Sequence, residues 1–321
     1  MTQLWSVQYS DGYVHSDILS HELRTAVQPG LRFRNFSDVK DPAHQGRHKG
    51  AIFHWDMYGD ISTAGGVLVE TETIPTSTYT KTQGTLTIDE RGISVPYTGK
   101  LDDLSFQPVK EIIHKVLKND CKKVLDRMIH VQFAATPLRI APTSGTDTAA
   151  ITLTTNGTCA TTNTLALGKL HVKTIIDTMK ERDIPAYDSD DYYCIARPST
   201  FRSFKNDLEA VKMYVDIGLG EIRRGEIGRY ESCRFIEQTN ILAGEGSTAG
   251  TGAWAQAKSD WAFFCGEDTV AEAIAVPEEI RGKLPGDFGR DRGVAWYYLG
   301  GAGIVHSAHA QARILMWDSA A

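Results

Sequence analysis

The sequence predicts an α+β fold in which many strands surround one long helix. Three observations predict it. One strong helical pattern covers residues 108–131, strand-like apolar segments recur on both sides of it, and no repeat or linker divides the chain into independent units. The 321 residues are 41% hydrophobic and 23% charged, which is the ordinary balance of a globular protein with a sizeable core.

Composition argues against several classes of protein. The longest apolar runs are too short to cross a bilayer, and the first residues lack the basic start and apolar core of a secretory signal. The five cysteines are scattered without a CxxC pair, which indicates reduced thiols and not a disulfide framework. A net charge of −6 argues against a dedicated nucleic-acid binder.

The first 48 residues are predicted to form an irregular, extended arm. Turn-forming pairs such as Asp11-Gly12 and Asp41-Pro42 interrupt any periodic pattern. A poorly ordered terminus is the alternative. The candidate contact residues of the arm are two aromatic anchors and three cations, namely Arg32, Phe33, Arg34, Phe36 and Arg47.

Residues 49–98 alternate with period two and predict a long β-hairpin with a Gly- and Thr-rich tip. A projecting hairpin cannot bury both faces by itself, so we expect it to need a partner surface. An ordinary solvated hairpin is the alternative. The apolar candidates for a contact are Trp55, Met57, Ile61, Val67, Leu68 and Val69.

The helix at 108–131 is amphipathic, with apolar residues at i, i+3, i+4 and i+7 and Pro108 at its first position. Its 24 residues would span roughly 36 Å. Residues 137–165 are expected to form an exposed loop or hairpin. Further helices are predicted at 167–181 and 198–211. Strands are predicted at 192–196, 233–237, 261–265, 270–276, 294–299 and 304–317, with a break at Gly300-Gly-Ala-Gly.

The sequence contains no arrangement typical of catalysis or metal binding. The segment Gly244–Gly252 is rich in glycine but lacks the Gly-Lys-Ser/Thr ending of a phosphate loop, so a mobile loop is predicted. The pairs His44/His48 and His306/His309 lack a converging third ligand. We therefore predict no catalytic residue, no cofactor and no metal site.

Three blocks in the second half of the chain resemble, in order and spacing, the major capsid proteins of tailed bacteriophages. They are Tyr192–Asp207, Gly225–Asn240 and Trp296–His306. The fold of that family is the shell fold named after phage Hong Kong 97. The resemblance continues upstream and covers most of the chain, through Leu31–Asp41, Val95–Leu101 and Glu111–Asp120.

The resemblance implies a division of the chain. It comprises an N-terminal arm (1–48), an extended loop (49–98), a peripheral domain (99–165) with its spine helix at 108–131, an axial domain (166–278) and a return to the peripheral domain (279–321). It also implies a loop at the capsomer centre, with candidates Gly244, Glu245, Gly246, Gly250 and Gly252. Because arm-like sequence begins almost at Met1, no cleaved scaffolding segment is expected.

The function implied is that of a non-enzymatic building block. Hexamers and pentamers would form an icosahedral head around double-stranded DNA, in a virion assembled in the bacterial cytoplasm. The implied partners are further copies of the chain, a portal, scaffolding or decoration proteins, and DNA held by non-specific contact, with no membrane. An encapsulin-like compartment on the same fold is one alternative, and an α+β enzyme is another.

Overall fold

The described part of the chain folds into two sheets and a separate two-stranded hairpin around one long helix. The structure is a computed structural model that describes residues 31–40, 50–61, 65–68, 70–71, 73–143, 151–158, 165–187, 190–212, 226–241 and 260–319. Its helices are α1 (Gly99–Leu104), α2 (Val109–Ala134), α3 (Lys169–Glu181) and α4 (Arg202–Lys212), with a 3-10 helix at Phe33–Phe36. The strands are β1 (Ser37–Lys40), β2 (Ile52–Ile61), β3 (Tyr79–Thr87), β4 (Asp89–Thr98), β5 (Leu138–Pro142), β6 (Ile151–Thr154), β7 (Tyr192–Ala196), β8 (Glu226–Tyr230), β9 (Cys233–Glu237), β10 (Asp260–Cys265), β11 (Val270–Gly282), β12 (Asp291–Ile304) and β13 (Ile314–Ser319).

A seven-stranded sheet, in the order β6-β5-β13-β10-β7-β9-β8, is covered by helices on both faces. Successive side chains of a strand point to opposite faces, and β10 shows this directly. Trp261, Phe263 and Cys265 pack in the cluster built on α2, whereas Ala262 and Phe264 pack in the cluster that contains α3 and α4. Because both faces are buried, its central strands are continuous apolar runs.

A four-stranded sheet, in the order β1-β11-β12-β4, packs against α2. Trp296 and Tyr298 of β12 share a core cluster with Leu117 and Leu125 of the helix. The same cluster holds Phe263 of the seven-stranded sheet, so α2 joins the two sheets. The helix ends three residues beyond the predicted 131, and Pro108 is its N-cap instead of its first residue.

The predicted hairpin is present, but its returning strand has two parts. β2 and β3 pair antiparallel from Ile52↔Thr87 to Ile61↔Tyr79. The chain then continues directly into β4, which pairs with β12 in the four-stranded sheet instead of with β2. The prediction that all of residues 49–98 form one hairpin was therefore wrong for residues 89–98. They form β4, which belongs to the four-stranded sheet.

The predicted break at Gly300 was also wrong. β12 runs unbroken from Asp291 to Ile304, and the turn comes at residues 305–313. A Cβ atom on Gly301 would lie 2.0 Å from the carbonyl oxygen of Thr87, and one on Gly303 would lie 2.9 Å from the Cβ of Leu86. The glycines are there because β3 crosses closely over β12, which is a known role of glycine inside a strand.

Residues 137–165 contain the expected hairpin, β5 paired with β6. It is less exposed than predicted, since every residue of β5 is buried beside β13. Sheet membership also crosses the predicted domain boundaries. β13 lies inside the seven-stranded sheet, and β11 starts in the range assigned to the axial domain but belongs to the four-stranded sheet. The predicted division into domains stays a prediction.

Candidate assembly surfaces

The described end of the arm, residues 31–40, packs against the body of its own chain. Phe33 has no exposed surface, and its ring lies 4.9 Å from that of His130 and 5.3 Å from that of Phe133. Phe36 is 8% exposed and packs 5.0 Å from the ring of Tyr193. These two predicted contact residues are thus core residues of the single chain and have little surface left for a neighbour.

Arg34 is held by two carboxylates of its own chain. Its Nε and Nη2 donate to the two oxygens of Glu272 at 3.1 and 2.9 Å, and its Nη1 donates to Oε1 of Glu278 at 3.0 Å. The hydroxyl of Tyr298 donates to Glu272 at 2.9 Å. Such a bidentate ion pair between a guanidinium and a carboxylate is strong and directional. It fastens the arm to β11 and β12.

Burial and charge act in opposite directions on the pKa values of Arg34 and Glu278, and in the same direction on that of Tyr298. Burial opposes the charge of Arg34, but the hydrogen bonds to Glu278 and Glu272 outweigh it and raise the arginine pKa. Burial also opposes the charge of Glu278, but the Arg34 bond lowers the carboxyl pKa. The pKa of Tyr298 is raised first by burial and then by the Glu272 charge. Arg34 is thus always protonated, and Tyr298 is a fixed donor.

Asp126 of α2 is a second anchor point for the arm. It accepts hydrogen bonds from the backbone nitrogen of Arg34 at 3.3 Å and from the side chain of Asn240 at 3.0 Å, and also from the amide of Gln238. Burial raises the Asp126 pKa, and these donors counteract the rise only in part. The arm, the long helix and the segment after β9 therefore meet at one carboxyl group.

Sequence reasoning missed Asp126 and Glu272. A signal was present for Glu272, which is the one acidic residue in the apolar run Val270–Val276. A lone carboxylate in a buried strand requires a cation or donors close by. No comparable signal marked Asp126, because acidic residues on a long amphipathic helix are normally exposed.

The base of the β2–β3 hairpin is anchored on the main body. Met57 is buried with Leu86 and with Ala271 and Ala273 of β11. The indole nitrogen of Trp55 donates to the carbonyl of Val305 at 3.4 Å. Part of the partner surface that the hairpin was expected to need is thus its own four-stranded sheet.

The distal hairpin is the exposed apolar surface among the predicted candidates. Val67 is 99% exposed, Leu68 58% and Ile61 53%. Beyond the predicted residues, Tyr58, Ile74 and Tyr79 are exposed by 63% or more. Apolar surface concentrated on a projecting element is typical of an interaction site. We call Ile61, Val67, Leu68 and these three residues the distal hairpin surface.

The remaining predicted residues are placed as follows. Arg32 is exposed. Arg47, Val69 and the proposed capsomer-centre residues Gly244, Glu245, Gly246, Gly250 and Gly252 lie outside the described residues. Within the described ranges, no group of three or more metal-ligating side chains is found. In the same ranges no helix is long and apolar enough to cross a membrane.

The fold matches phage capsid structures over almost the whole chain. The capsid of cyanophage Pam1 has a TM-score of 0.69 at 13% identity and covers 98% of both chains. The capsid of Helicobacter pylori bacteriophage KHP30 has a TM-score of 0.69 at 10% identity and covers 99% of this chain and 98% of the other. The capsid of Ralstonia phage GP4 has a TM-score of 0.67 at 12% identity and covers 98% of both. The chain therefore has the fold of phage capsid proteins, as the sequence resemblance predicted.

Sequence comparison adds no closer relative. No protein-family description matches the chain, and no curated protein matches it significantly. The likeness is one of architecture, since all three named structures share 13% identity or less with this chain.

Proposed function

We propose that this chain is a major capsid protein that assembles through hexamers and pentamers into an icosahedral phage head around double-stranded DNA. The observation that carries the proposal is the match to phage capsid structures along 98% or more of the chain. A match of that extent includes the hairpin, the long helix and both sheets, and is not limited to a shared core. The role is structural and not enzymatic, and the site of action is the virion.

Two features support the proposal physically. The arm and the base of the hairpin are fixed to the body, so the hairpin projects from a fixed base before any neighbour binds. A prearranged contact surface reduces the ordering cost of association. Many such contacts, each weak, give a closed lattice high stability through multivalency, and weak individual contacts allow errors to dissolve.

Negative-stain electron microscopy of the purified protein, expressed alone and followed over a concentration series, tests self-assembly. Closed shells or capsomer-sized rings are expected. A monomer at every concentration would contradict self-assembly of the chain alone. Particles isolated from the producing bacterium should contain double-stranded DNA, and particles filled with protein cargo and no DNA would instead favour an encapsulin-like compartment. The portal and any scaffolding or decoration protein would be identified by mass spectrometry of the same particles.

A further inference from the structure

The loop between β11 and β12, Lys283–Arg290, presents apolar side chains to solvent. Leu284 is 89% exposed and Phe288 is 107% exposed. We call this segment the tip loop. Phe288 and the largely exposed Leu284, four positions apart, form a small apolar knob that is separate in the chain from the distal hairpin surface.

Backbone hydrogen bonds stabilise the tip loop in the conformation that exposes Phe288. Backbone bonds join the nitrogen of Gly286 to the carbonyl of Asp291 at 3.0 Å and that of Gly289 to the carbonyl of Gly286 at 2.9 Å. A third bond, from the nitrogen of Gly99 to the carbonyl of Arg290 at 2.9 Å, ties the tip loop to α1. The ring is therefore held outward by an ordered backbone.

The backbone at the knob is also strained. Asp287 and Phe288 have φ angles of 46° and 53°, in the left-handed region. For a bulky residue such as phenylalanine this conformation is unfavourable. In the isolated chain, neither the strained backbone nor the exposed ring of Phe288 is stabilising. Burial of the ring in an apolar site on another molecule would offset the free-energy cost of the strain.

The same chain carries an apolar groove of matching character. It lies between β4, α1 and α2, encloses about 300 Å³ and is lined by apolar side chains that include Val95, Tyr97, Leu101, Val109, Ile112 and Val116. Val116 is 55% exposed at its edge. The groove is near the tip loop, because α1 contributes Leu101 to the groove and the nitrogen of Gly99 in the same helix donates to the carbonyl of Arg290 at 2.9 Å.

The charges around knob and groove are complementary. Asp287 and Arg290, exposed by 60% and 82%, lie on either side of Phe288 and pair with each other at 3.5 Å, an exposed pair that a partner's charges can replace. Glu111 and Lys115, both exposed, flank Ile112 one helical turn apart on α2. Residues at i and i+4 lie on the same helix face, so a seated knob can place Arg290 towards Glu111 and Asp287 towards Lys115.

We propose that the tip loop of one copy of this chain inserts Phe288 and Leu284 into the groove between β4, α1 and α2 of a second copy. The proposal rests on the shell function proposed above and names one of its contacts. A knob and a groove on one chain fit a reciprocal contact across a two-fold axis or a head-to-tail contact in a ring of copies. One aromatic anchor buries only about 150–250 Å², well below the area of a stable isolated dimer. The contact is thus one of several that hold each copy.

Disulfide trapping tests the contact directly. Subunits carrying Phe288→Cys are mixed with subunits carrying Val116→Cys, oxidised and run on a non-reducing gel. Cys121, Cys194, Cys233 and Cys265 are buried, and Cys159 is replaced by serine in all variants. The matched control is Val131→Cys, which lies on the same helix outside the groove and is 48% exposed against 55% for Val116. Leu284→Cys serves as a second knob variant.

A covalent dimer is expected from the Phe288→Cys and Val116→Cys mixture, and none above background from the Phe288→Cys and Val131→Cys mixture. Equal trapping by the two mixtures, or no trapping with either knob variant, overturns the proposal. Electron microscopy of wild-type protein separates this result from the shell function. Shells without trapping refute the contact alone, whereas trapping without shells or rings supports the contact and counts against shell assembly.

Discussion

Glu272 has no exposed surface, so its charge depends on the partners that the arm and β12 bring to it. Arg34 supplies a two-pronged ion pair and Tyr298 a hydroxyl donor. Removing one partner of a buried pair leaves an uncompensated charge, which costs more than the intact pair contributes. The position of the arm is therefore fixed by specific ion pairs and hydrogen bonds, and not by non-specific hydrophobic contact alone.

We expect Arg34→Met to lower the free energy of unfolding by about 3–5 kcal/mol, because Glu272 would stay buried without its cation. Urea unfolding followed by fluorescence measures the change. The matched control is Arg290→Met, since the Arg290–Asp287 pair is largely exposed and such pairs contribute about 0–1 kcal/mol. The double variant Arg34→Met with Glu272→Met should recover much of the loss. Equal effects of the two single variants would contradict this account of the arm.

His130 predicts a pH dependence of stability. Burial among Phe33, Phe263 and Trp261, and secondarily the charge of Arg127, lowers its pKa from 6.5 to about 4. Between these values the unfolded chain binds more protons than the folded one, so stability rises with pH. Stability should therefore fall by up to roughly 3 kcal/mol as the pH drops from 6.5 to 4.

The variant His130→Phe isolates this contribution, because it keeps an aromatic ring and removes the titrating group. Its unfolding free energy should change less between pH 6.5 and 4 than that of the wild type. His114→Gln, on the exposed side of the same helix, is the control. The raised pKa of Asp126 contributes with the opposite sign and is present in all three proteins. A slope that His130→Phe leaves unchanged would rule out His130 as its source.

At the scale of elements, the glycines of β12 decide how the hairpin docks. They permit β3 to cross the strand at backbone distance, which brings Trp55 and Met57 onto the four-stranded sheet. From sequence, four glycine or alanine residues in a row indicate a break. The run is a strand because it pairs with β11 and β4, and both β4 and the crossing β3 are distant in the chain.

We expect Gly301→Ala to destabilise the protein by about 1–3 kcal/mol and to loosen the hairpin, since its Cβ would lie 2.0 Å from the Thr87 carbonyl oxygen. The control Gly293→Ala is in the same strand, and its nearest atoms would be 3.5 Å away, an ordinary contact. Thermal unfolding gives the stability change, and limited proteolysis gives the release of the hairpin. Similar behaviour of both variants would show that the close crossing is unimportant.

The sequence predicted elements well where their own residues determine them. The long helix, the strand Tyr192–Ala196 and the β2–β3 pairing follow from local periodicity. The burial of β5 was missed because the strand is short and contains Arg139, whose charge is met by Asp318 of β13, 179 positions along the chain. The burial of a strand that depends on contacts with residues distant in the chain could not be predicted from the local sequence pattern.

At the scale of the whole molecule, the resemblance predicted the fold, whereas the contact surfaces needed the structure. Phe33 and Val67 are both apolar residues in segments without strong helical pattern. The structure puts one at 0% and the other at 99% exposure. The difference arises from contacts with α2 and β10, which no local pattern encodes. Candidate assembly residues therefore divide into arm anchors within the subunit and the distal hairpin surface.

The distal hairpin surface should control assembly without affecting the subunit. We expect Val67→Ser with Leu68→Ser to raise the concentration at which shells or rings form by about tenfold or more, because losing the apolar contacts of both side chains costs about 1.4 kcal/mol or more in total. The unfolding midpoint should not change, since both side chains are exposed in the single chain. Light scattering over a concentration series measures the threshold.

Val131→Ser is the matched control for that pair, because Val131 is an exposed valine on α2, away from the hairpin. If the hairpin double variant assembles at the wild-type concentration, the exposed hairpin residues do not contact a neighbour. If it unfolds more easily as well, those side chains must pack within the subunit. A higher assembly threshold with unchanged unfolding assigns their apolar area to the contact between copies, as the proposed shell function requires.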